Sequence, residues 1–275
     1  MQETTMDAAR IAEHKRQYET DGVTMIQQVL RPEEVQRAQE AIDRLLQSKT
    51  LPAGSGWDYD VKRGRFFMGM FLWTFDDVLR STIIDSDLPD WAAGILGSKK
   101  VNILFDQLFV KEPGTNDPTP WHQDQPYWPV SGDQVMSFWI ALDPVDRASG
   151  AVEYVKGSHR WDARYQPKSF AGPNKYPINE NLQALPDIET LRSELDIVSY
   201  TMQPGDVVAF NGRILHGAGG NTTSDRRRRG YSIRYCGDDV RYAPDVQTFK
   251  LIRDPGIAPG DPLDSSLFPV VRSMQ

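Results

Sequence analysis

The chain has 275 residues, 39% of them hydrophobic and 10% aromatic, with 31 basic against 38 acidic side chains and a formal net charge of -7. That suits one large or two small folded units with a sizeable core, and the acidic balance disfavours binding along a phosphate backbone. A single cysteine, Cys236, excludes an internal disulfide framework and cysteine-rich zinc or iron–sulfur sites.

Residues 7–21 set Ile11, Ala12 and Tyr18 on a charged background, which predicts an amphipathic helix ending near Gly22. His14, among Glu13, Lys15 and Arg16, is assigned to the surface. Residues 23–26 read as a short strand. Pro32, Glu33 and Glu34 open a second helix, because proline and acids suit a first turn, and Val35, Ala38, Ile42, Leu45 and Leu46 form its buried stripe. Residues 51–64, rich in glycine, proline and charge, read as a loop. The aromatic group from Phe66 to Trp73 reads as core in preference to a pocket lid, and residues 78–96 as one helix ended by Gly97.

After Gly97 the pattern changes to β-rich segments at residues 101–111, 136–142, 151–155, 197–202, 207–210 and 231–235. Residues 167–186 form a long insertion, followed by a helical piece at 187–194. The run Arg226-Arg227-Arg228-Arg229 either grips an anion or forms a solvated turn, and residues 255–269 are a Pro/Gly/Asp-rich tail expected along the surface. No run approaches ~18 apolar residues and residues 1–5 lack a signal-peptide pattern. The expected setting is the cytoplasm, with neither a membrane nor a nucleic acid as partner; the sequence leaves the oligomeric state open.

The chemistry concentrates in Trp121-His122-Gln123-Asp124 and in a distant His216. On an extended segment His122 and Asp124 point to one face, so their metal-binding atoms can converge. Two imidazoles and one carboxylate leave coordination positions open, which is the facial-triad arrangement of non-haem Fe(II) oxygenases, whereas a structural zinc site is closed by four ligands. The chain has four histidines, so the concentration of two in such contexts raises the weight of a pattern that is weak alone. Many short strands around a histidine-ligated metal predict a mostly β fold with flanking helices: a double-stranded β-helix, the cupin-like jelly roll, under an N-terminal helical layer. The division expected is one domain over residues 1–275, mainly helical to 98, jelly roll over 99–240 and a C-terminal extension over 241–275.

These pieces resemble the phytanoyl-CoA dioxygenase family of Fe(II)/2-oxoglutarate oxygenases. The resemblance rests on His122-Gln123-Asp124, the strand Ser137 to Leu142, Ser149-Gly150-Ala151-Val152, Gly157-Ser158-His159, Pro204-Gly205-Asp206-Val207, His216-Gly217, Asn221, and an arginine before Tyr231-Ser232, in the family's order. It implies Fe(II) held by His122, Asp124 and His216, with 2-oxoglutarate and dioxygen in the open positions, and hydroxylation or another oxidation coupled to release of succinate and CO2. It also implies an arginine for the distal carboxylate of 2-oxoglutarate. Counting back from Ser232 selects Arg228, which shares a strand face with Gly230, Ser232 and Arg234; counting forward from His216 selects Arg227.

Trp139, Gln107 and Ser232 fall where the family lines its co-substrate or substrate pocket, and His159 reads as a structural histidine of its turn. The carboxylate at Asp124 favours hydroxylation over halogenation, since related halogenases carry a small residue there. The expected substrate is a small organic metabolite, such as a natural-product intermediate. An acyl-CoA and a non-catalytic cupin-like binding protein are the alternatives.

Overall fold

A computed structural model describes residues 8–48, 56–61, 64–169 and 176–273. Helix α1 (Ala8–Asp21) ends where Gly22 adopts φ 78° and returns its N–H to the Tyr18 carbonyl at 2.8 Å. Strand β1 (Val23–Ile26) follows, then α2 (Pro32–Gln47), whose entry is closed by Glu34 accepting from the Arg31 N–H at 2.8 Å. His14 is half-buried, which corrects its assignment to the surface: its Nδ1 lies 2.8 Å from Thr24 Oγ1 and its ring meets Trp91 edge-on. Because the Thr24 hydroxyl donates to Gln17, it accepts from His14 and ties α1 to β1.

Strands β2 (Gly56–Val61) and β3 (Gly64–Met70) pair antiparallel, so the loop expected at residues 51–64 contains a strand; residues 49–55 and 62–63 lie outside the described residues. The helix expected at 78–96 is two helices, α3 (Asp77–Ile84) and α4 (Leu88–Leu96). The break falls before Pro89, which has no N–H for the carbonyl four residues back and is tolerated only in a first turn. Asp76 caps α3 through the Leu79 N–H, and Gly97 at φ 64° ends α4.

The remaining strands are β4 (Lys100–Lys111), β5 (Thr119–His122), β6 (Val130–Ser131), β7 (Val135–Ala141), β8 (Val152–Val155), β9 (Ile197–Ser199) and β10 (Val207–Asn211). After them come β11 (His216–Ala218), β12 (Arg228–Cys236), β13 (Arg241–Tyr242) and β14 (Val270–Ser273). One sheet runs β1-β10-β7-β12-β4-β3-β2, with β14 also on β4, and a second runs β5-β11-β8-β9. The two face each other across a cavity lined from both. This is the jelly roll expected, and strands from the first 98 residues and from the C-terminal extension join its larger sheet.

The outer face of that sheet carries the helices. Leu108, Val110, Phe138, Ile140 and Tyr231 pack there against Ala38, Ile42, Leu79 and Trp91. The C-terminal segment is more than a surface tail: Leu263, Leu267 and Phe268 are buried with Phe71, Phe105 and Trp128, and the Pro269 carbonyl accepts from Ile103. The helical piece expected at 187–194 is turns with a single 3-10 turn at Arg192–Glu194, because Asp187 captures the Glu189 and Thr190 N–H groups with its own carboxylate. Among the described residues no helix is long and apolar enough to cross a membrane.

Asp106 is fully buried on the helix side of β4. Its Oδ2 accepts from the Tyr231 hydroxyl at 2.5 Å and the Trp73 N–H at 3.0 Å. Burial pushes its pKa up to about 7 despite these hydrogen bonds. The folded chain therefore holds this proton more tightly than the unfolded chain, whose carboxyl titrates near ~3.9. The resulting stabilisation is complete below about pH 4 and is lost as pH rises to about 7. Thermal unfolding of Asp106→Asn should gain on the native chain progressively across that window; a Tm difference that stays constant with pH would contradict it.

Candidate active site

The parity expected of His122 and Asp124 is not what brings them together. Strand β5 ends at His122, and Asp124 lies in helical backbone (φ -76°, ψ -46°) at the start of a 3-10 turn, so the chain curls its carboxylate back over the imidazole. Between them Gln123 faces away, donating to the Arg213 carbonyl at 2.9 Å and accepting from the Tyr165 N–H at 3.1 Å. His216 opens β11 directly opposite His122 in the antiparallel register, with ring centroids 4.2 Å apart.

Asp124 Oδ1 lies 3.3 Å from His122 Nε2 and 3.8 Å from His216 Nε2, and one ligand atom from each of the three groups falls within 4.8 Å of the others. Each imidazole has Nδ1 beside a backbone carbonyl, Pro120 at 2.8 Å and Ile214 at 3.1 Å. A carbonyl can only accept, so Nδ1 carries the proton and Nε2 presents its lone pair to the common point. Burial, then the neighbouring His122, pushes the His216 pKa down to about 4, which keeps it neutral. Burial alone would raise the Asp124 carboxyl, but the charge around it, with the Arg234 guanidinium 3.8 Å from Oδ2, outweighs it and holds the group well below the usual carboxylate range.

The turn at Ser158 places His216. Ser158 donates to the Val155 carbonyl at 2.7 Å and accepts from the Leu215 N–H at 2.8 Å, fixing the residue before the histidine. His159 lies away from the three ligands: its Nε2 is 3.2 Å from the Glu19 carbonyl, and its ring packs where a side chain on Gly22 would stand.

Alternation along β12 decides the fate of the arginine run. Arg228, Ser232 and Arg234 are buried and line the cavity, whereas Arg227 pairs with Glu112 and Asp43, and Arg229 with Asp143 and Asp43. Arg226 pairs with Asp146. The run is therefore no solvated turn, and Arg228, not Arg227, reaches the pocket. Its guanidinium donates to the Gly150 carbonyl at 3.1 Å, lies over the Trp139 ring at 5.5 Å, and forms no ion pair among the described residues. Burial pushes its pKa down only to about 10, so it stays charged. Asn221 shapes the approach to β12 by donating to the Lys111 and Arg226 carbonyls.

The cavity is lined by His122, Asp124, His216, Arg228, Trp139, Gln107 and Ser232, the residues that the sequence assigned to the site. Gln107 donates to the Met68 sulfur. Lining residues that sequence reasoning did not assign include Lys111, Tyr154, Phe210 and Arg234. Strand parity from Arg228 reaches Arg234, but Lys111 comes opposite Arg228 only through the β4–β12 register. Lys111 Nζ donates to the Asp117 and Gly219 carbonyls, and burial lowers its pKa. Tyr127 meets His122 edge-on, and its hydroxyl accepts from the Lys168 N–H at 2.8 Å, which anchors the start of the insertion to the site.

The donor set fits an iron ion with open positions and a dicarboxylate beside it. Three neutral or anionic ligands converge, and among the described residues the Arg228 guanidinium in the same cavity has no ion pair, while Ser232 Oγ, Tyr154 Oη and Arg234 Nε are buried there with no hydrogen-bond partner. A jelly roll with this site defines the class of Fe(II)/2-oxoglutarate-dependent oxygenases.

The family model of phytanoyl-CoA dioxygenase (PhyH) matches residues 18–230, and the chain belongs to that family. The multifunctional dioxygenase prhA of Penicillium brasilianum is 26% identical over 85% of this chain and 74% of its own length. A probable phytanoyl-CoA dioxygenase of Caenorhabditis elegans is 24% identical over 83% of this chain and 76% of its own. Among solved structures, the epimerase SnoN in complex with Fe3+, alpha ketoglutarate and nogalamycin RO superposes with a TM-score of 0.76 at 21% identity, covering 97% of this chain and all of its own. The carbocyclase SnoK from nogalamycin biosynthesis gives 0.72 at 25% identity, covering 94% and 95%. The chain is an oxygenase that depends on Fe(II), 2-oxoglutarate and O2.

Gly230 leaves the space that Trp139 fills, since a Cβ there would stand 2.2 Å from the indole ring. Gly230→Ala should move that ring off Arg228, change the near-ultraviolet circular dichroism, and weaken 2-oxoglutarate binding while the far-ultraviolet spectrum stays native. Unchanged binding would show that the indole does not fix the guanidinium.

Proposed function

We propose that residues 1–275 form one oxygenase domain that hydroxylates, or otherwise oxidises, a small organic metabolite of the natural-product type, in the cytoplasm. The observation that carries the reading is one cavity holding the His122, Asp124 and His216 donors together with the buried, ion-pair-free Arg228. His122, Asp124 and His216 are the proposed metal ligands. Arg228 receives the distal carboxylate of 2-oxoglutarate as a planar fork, Ser232 donates to the same carboxylate, and Trp139 keeps the guanidinium in plane. Gln107 lies on the same sheet face, opposite Ser232, at the wall left for substrate. When bound, Fe(II) and 2-oxoglutarate supply the activation of dioxygen, with succinate and CO2 as co-products.

The chain's own part is binding, orientation and exclusion of water. Phe66, Phe109, Val152 and Phe210 line the cavity, so a reacting C–H bond is held against apolar walls. The relatives named for multifunctional dioxygenase, epimerase and carbocyclase activities support a natural-product intermediate as substrate. The arginine run gives an acyl-CoA no support: Arg226, Arg227 and Arg229 are each committed to carboxylates of the chain and leave no free cluster for the phosphates. The non-catalytic alternative leaves the buried polar atoms of the cavity without purpose.

Succinate formation on adding Fe(II), 2-oxoglutarate and a panel of natural-product intermediates tests the reading; failure across acyl-CoAs with turnover of one such intermediate is the expected pattern. His216→Ala should lose stoichiometric iron, and full occupancy in that variant would remove His216 from the ligand set. Arg228→Ala should raise the 2-oxoglutarate requirement roughly ten- to a hundredfold, as expected for loss of a charge-assisted pair of about 1.5–3 kcal/mol, whereas Arg227→Ala should not. In the presence of chloride the native product should gain oxygen or lose hydrogen and never gain chlorine, and Asp124→Gly should abolish turnover. A chlorinated product would overturn the assignment of Asp124.

A further inference from the structure

The two oxygens of Asp124 face different neighbours. Oδ1 is the atom near both imidazoles, at 3.3 and 3.8 Å. Oδ2 points the other way, accepting from Ser137 Oγ at 3.2 Å and lying 3.8 Å from Arg234 Nη2. Ser137 and Arg234 are paired across β7 and β12, so the sheet register itself delivers a hydroxyl and a guanidinium to one oxygen.

Arg234 is built for a fixed position. It is 3% exposed, its guanidinium carbon lies 4.7 Å from the Phe105 ring and 5.6 Å from the Trp128 ring, and Nη1 donates to the Ser232 carbonyl at 3.3 Å. Two aromatic faces restrict the plane of the group, and the charge acts on Asp124 at short range in a water-poor setting. Nothing in the core packing requires a cation at this position. Methionine would fill much the same volume without the desolvation cost of a buried charge.

We propose that Ser137 and Arg234 are positioning residues that hold Asp124 Oδ2 off the metal, so that the aspartate takes one coordination position instead of two. This rests on the reading of His122, Asp124 and His216 as the ligands. The consequence is that the position Oδ2 would otherwise occupy stays open for the co-substrate, which needs two adjacent positions to chelate.

Co(II) titrated into the metal-free protein, with and without 2-oxoglutarate, tests this, because the intensity and position of its visible bands follow coordination number. With Arg234→Met the Co(II) bands should change, and the dissociation constant of 2-oxoglutarate should rise about tenfold or more. Ser137→Ala should shift both in the same direction by less, and Arg234→Lys, which keeps the charge, should lie between Arg234→Met and the native protein. If Arg234→Met does not fold, the other two variants carry the comparison. Native bands and native 2-oxoglutarate affinity in Ser137→Ala and in the folded Arg234 variants overturn the proposal, even if Tm falls. Asp124→Ala separates the two levels: native Co(II) bands in that variant would remove Asp124 from the ligand set altogether. Altered bands there, with native bands in the Ser137 and Arg234 variants, would reject only the holding role.

Discussion

The structure depends on burying charged groups between two sheets without stranding them. Asp124, Arg228, Arg234 and Lys111 are each at most 7% exposed and line one cavity. An isolated charge in such a place is costly, so each must have compensation built into the backbone around it. Lys111 finds two carbonyls, Arg228 finds the Ser149 and Gly150 carbonyls and an indole face, and Arg234 finds Asp124 and two rings. The turn at Gly150 exists in this form because φ 83° and the nearby Gly219 and Gly220 carbonyls leave no room for a side chain. A tight turn between strands thereby becomes the support of a functional guanidinium.

The same strand that supplies the cavity also clamps the fold. Arg227, just before β12, and Arg229, within it, point away from Arg228 and converge on Asp43 of α2, with Glu112 and Asp143 completing the network. Single exposed ion pairs contribute little, but a network that includes the nearly buried Arg229–Asp143 bridge orients more than it stabilises. It fixes the helical layer against the strand whose inner face carries the site. Asp106 repeats the logic one strand away, tying Tyr231 of β12 and the Trp73 turn to β4 from the helix side.

Much of this was legible in the sequence, and the parts that were not share a cause. The strands around 101–111, 136–142 and 207–210 showed as β-branched and aromatic runs, and the ordered motifs located His122, Asp124, His216 and Arg228. The face-sharing of Arg228, Ser232 and Arg234 followed from period two alone. The strand at Gly56–Val61 was hidden because pairing with β3 is a non-local fact written on a glycine- and charge-rich segment. Ser137 was invisible as a neighbour of Asp124, and Lys111 as a neighbour of Arg228, because cross-strand register is set by turns and bulges far from either residue. Even a correct conclusion came by an inexact route: His122 and Asp124 converge because β5 stops between them, not because it continues.

The cavity's own charges bear on how its two occupants are coupled. Before anything binds, the guanidiniums of Arg228 and Arg234 face one carboxylate, so the walls are net positive and repel a dication. A dianionic co-substrate is attracted to the same walls through Arg228, and once there it offsets the repulsion. The affinities of metal and co-substrate must then raise each other by the same factor, because a coupling free energy between two ligands is reciprocal. Salt in the medium hardly weakens this coupling, since the charges concerned are buried and the screening ions stay outside. The excess positive charge that Arg234 brings to the metal end is thus no simple aid to metal binding. It makes sense if its work is to orient Asp124 while the co-substrate restores the balance of charge.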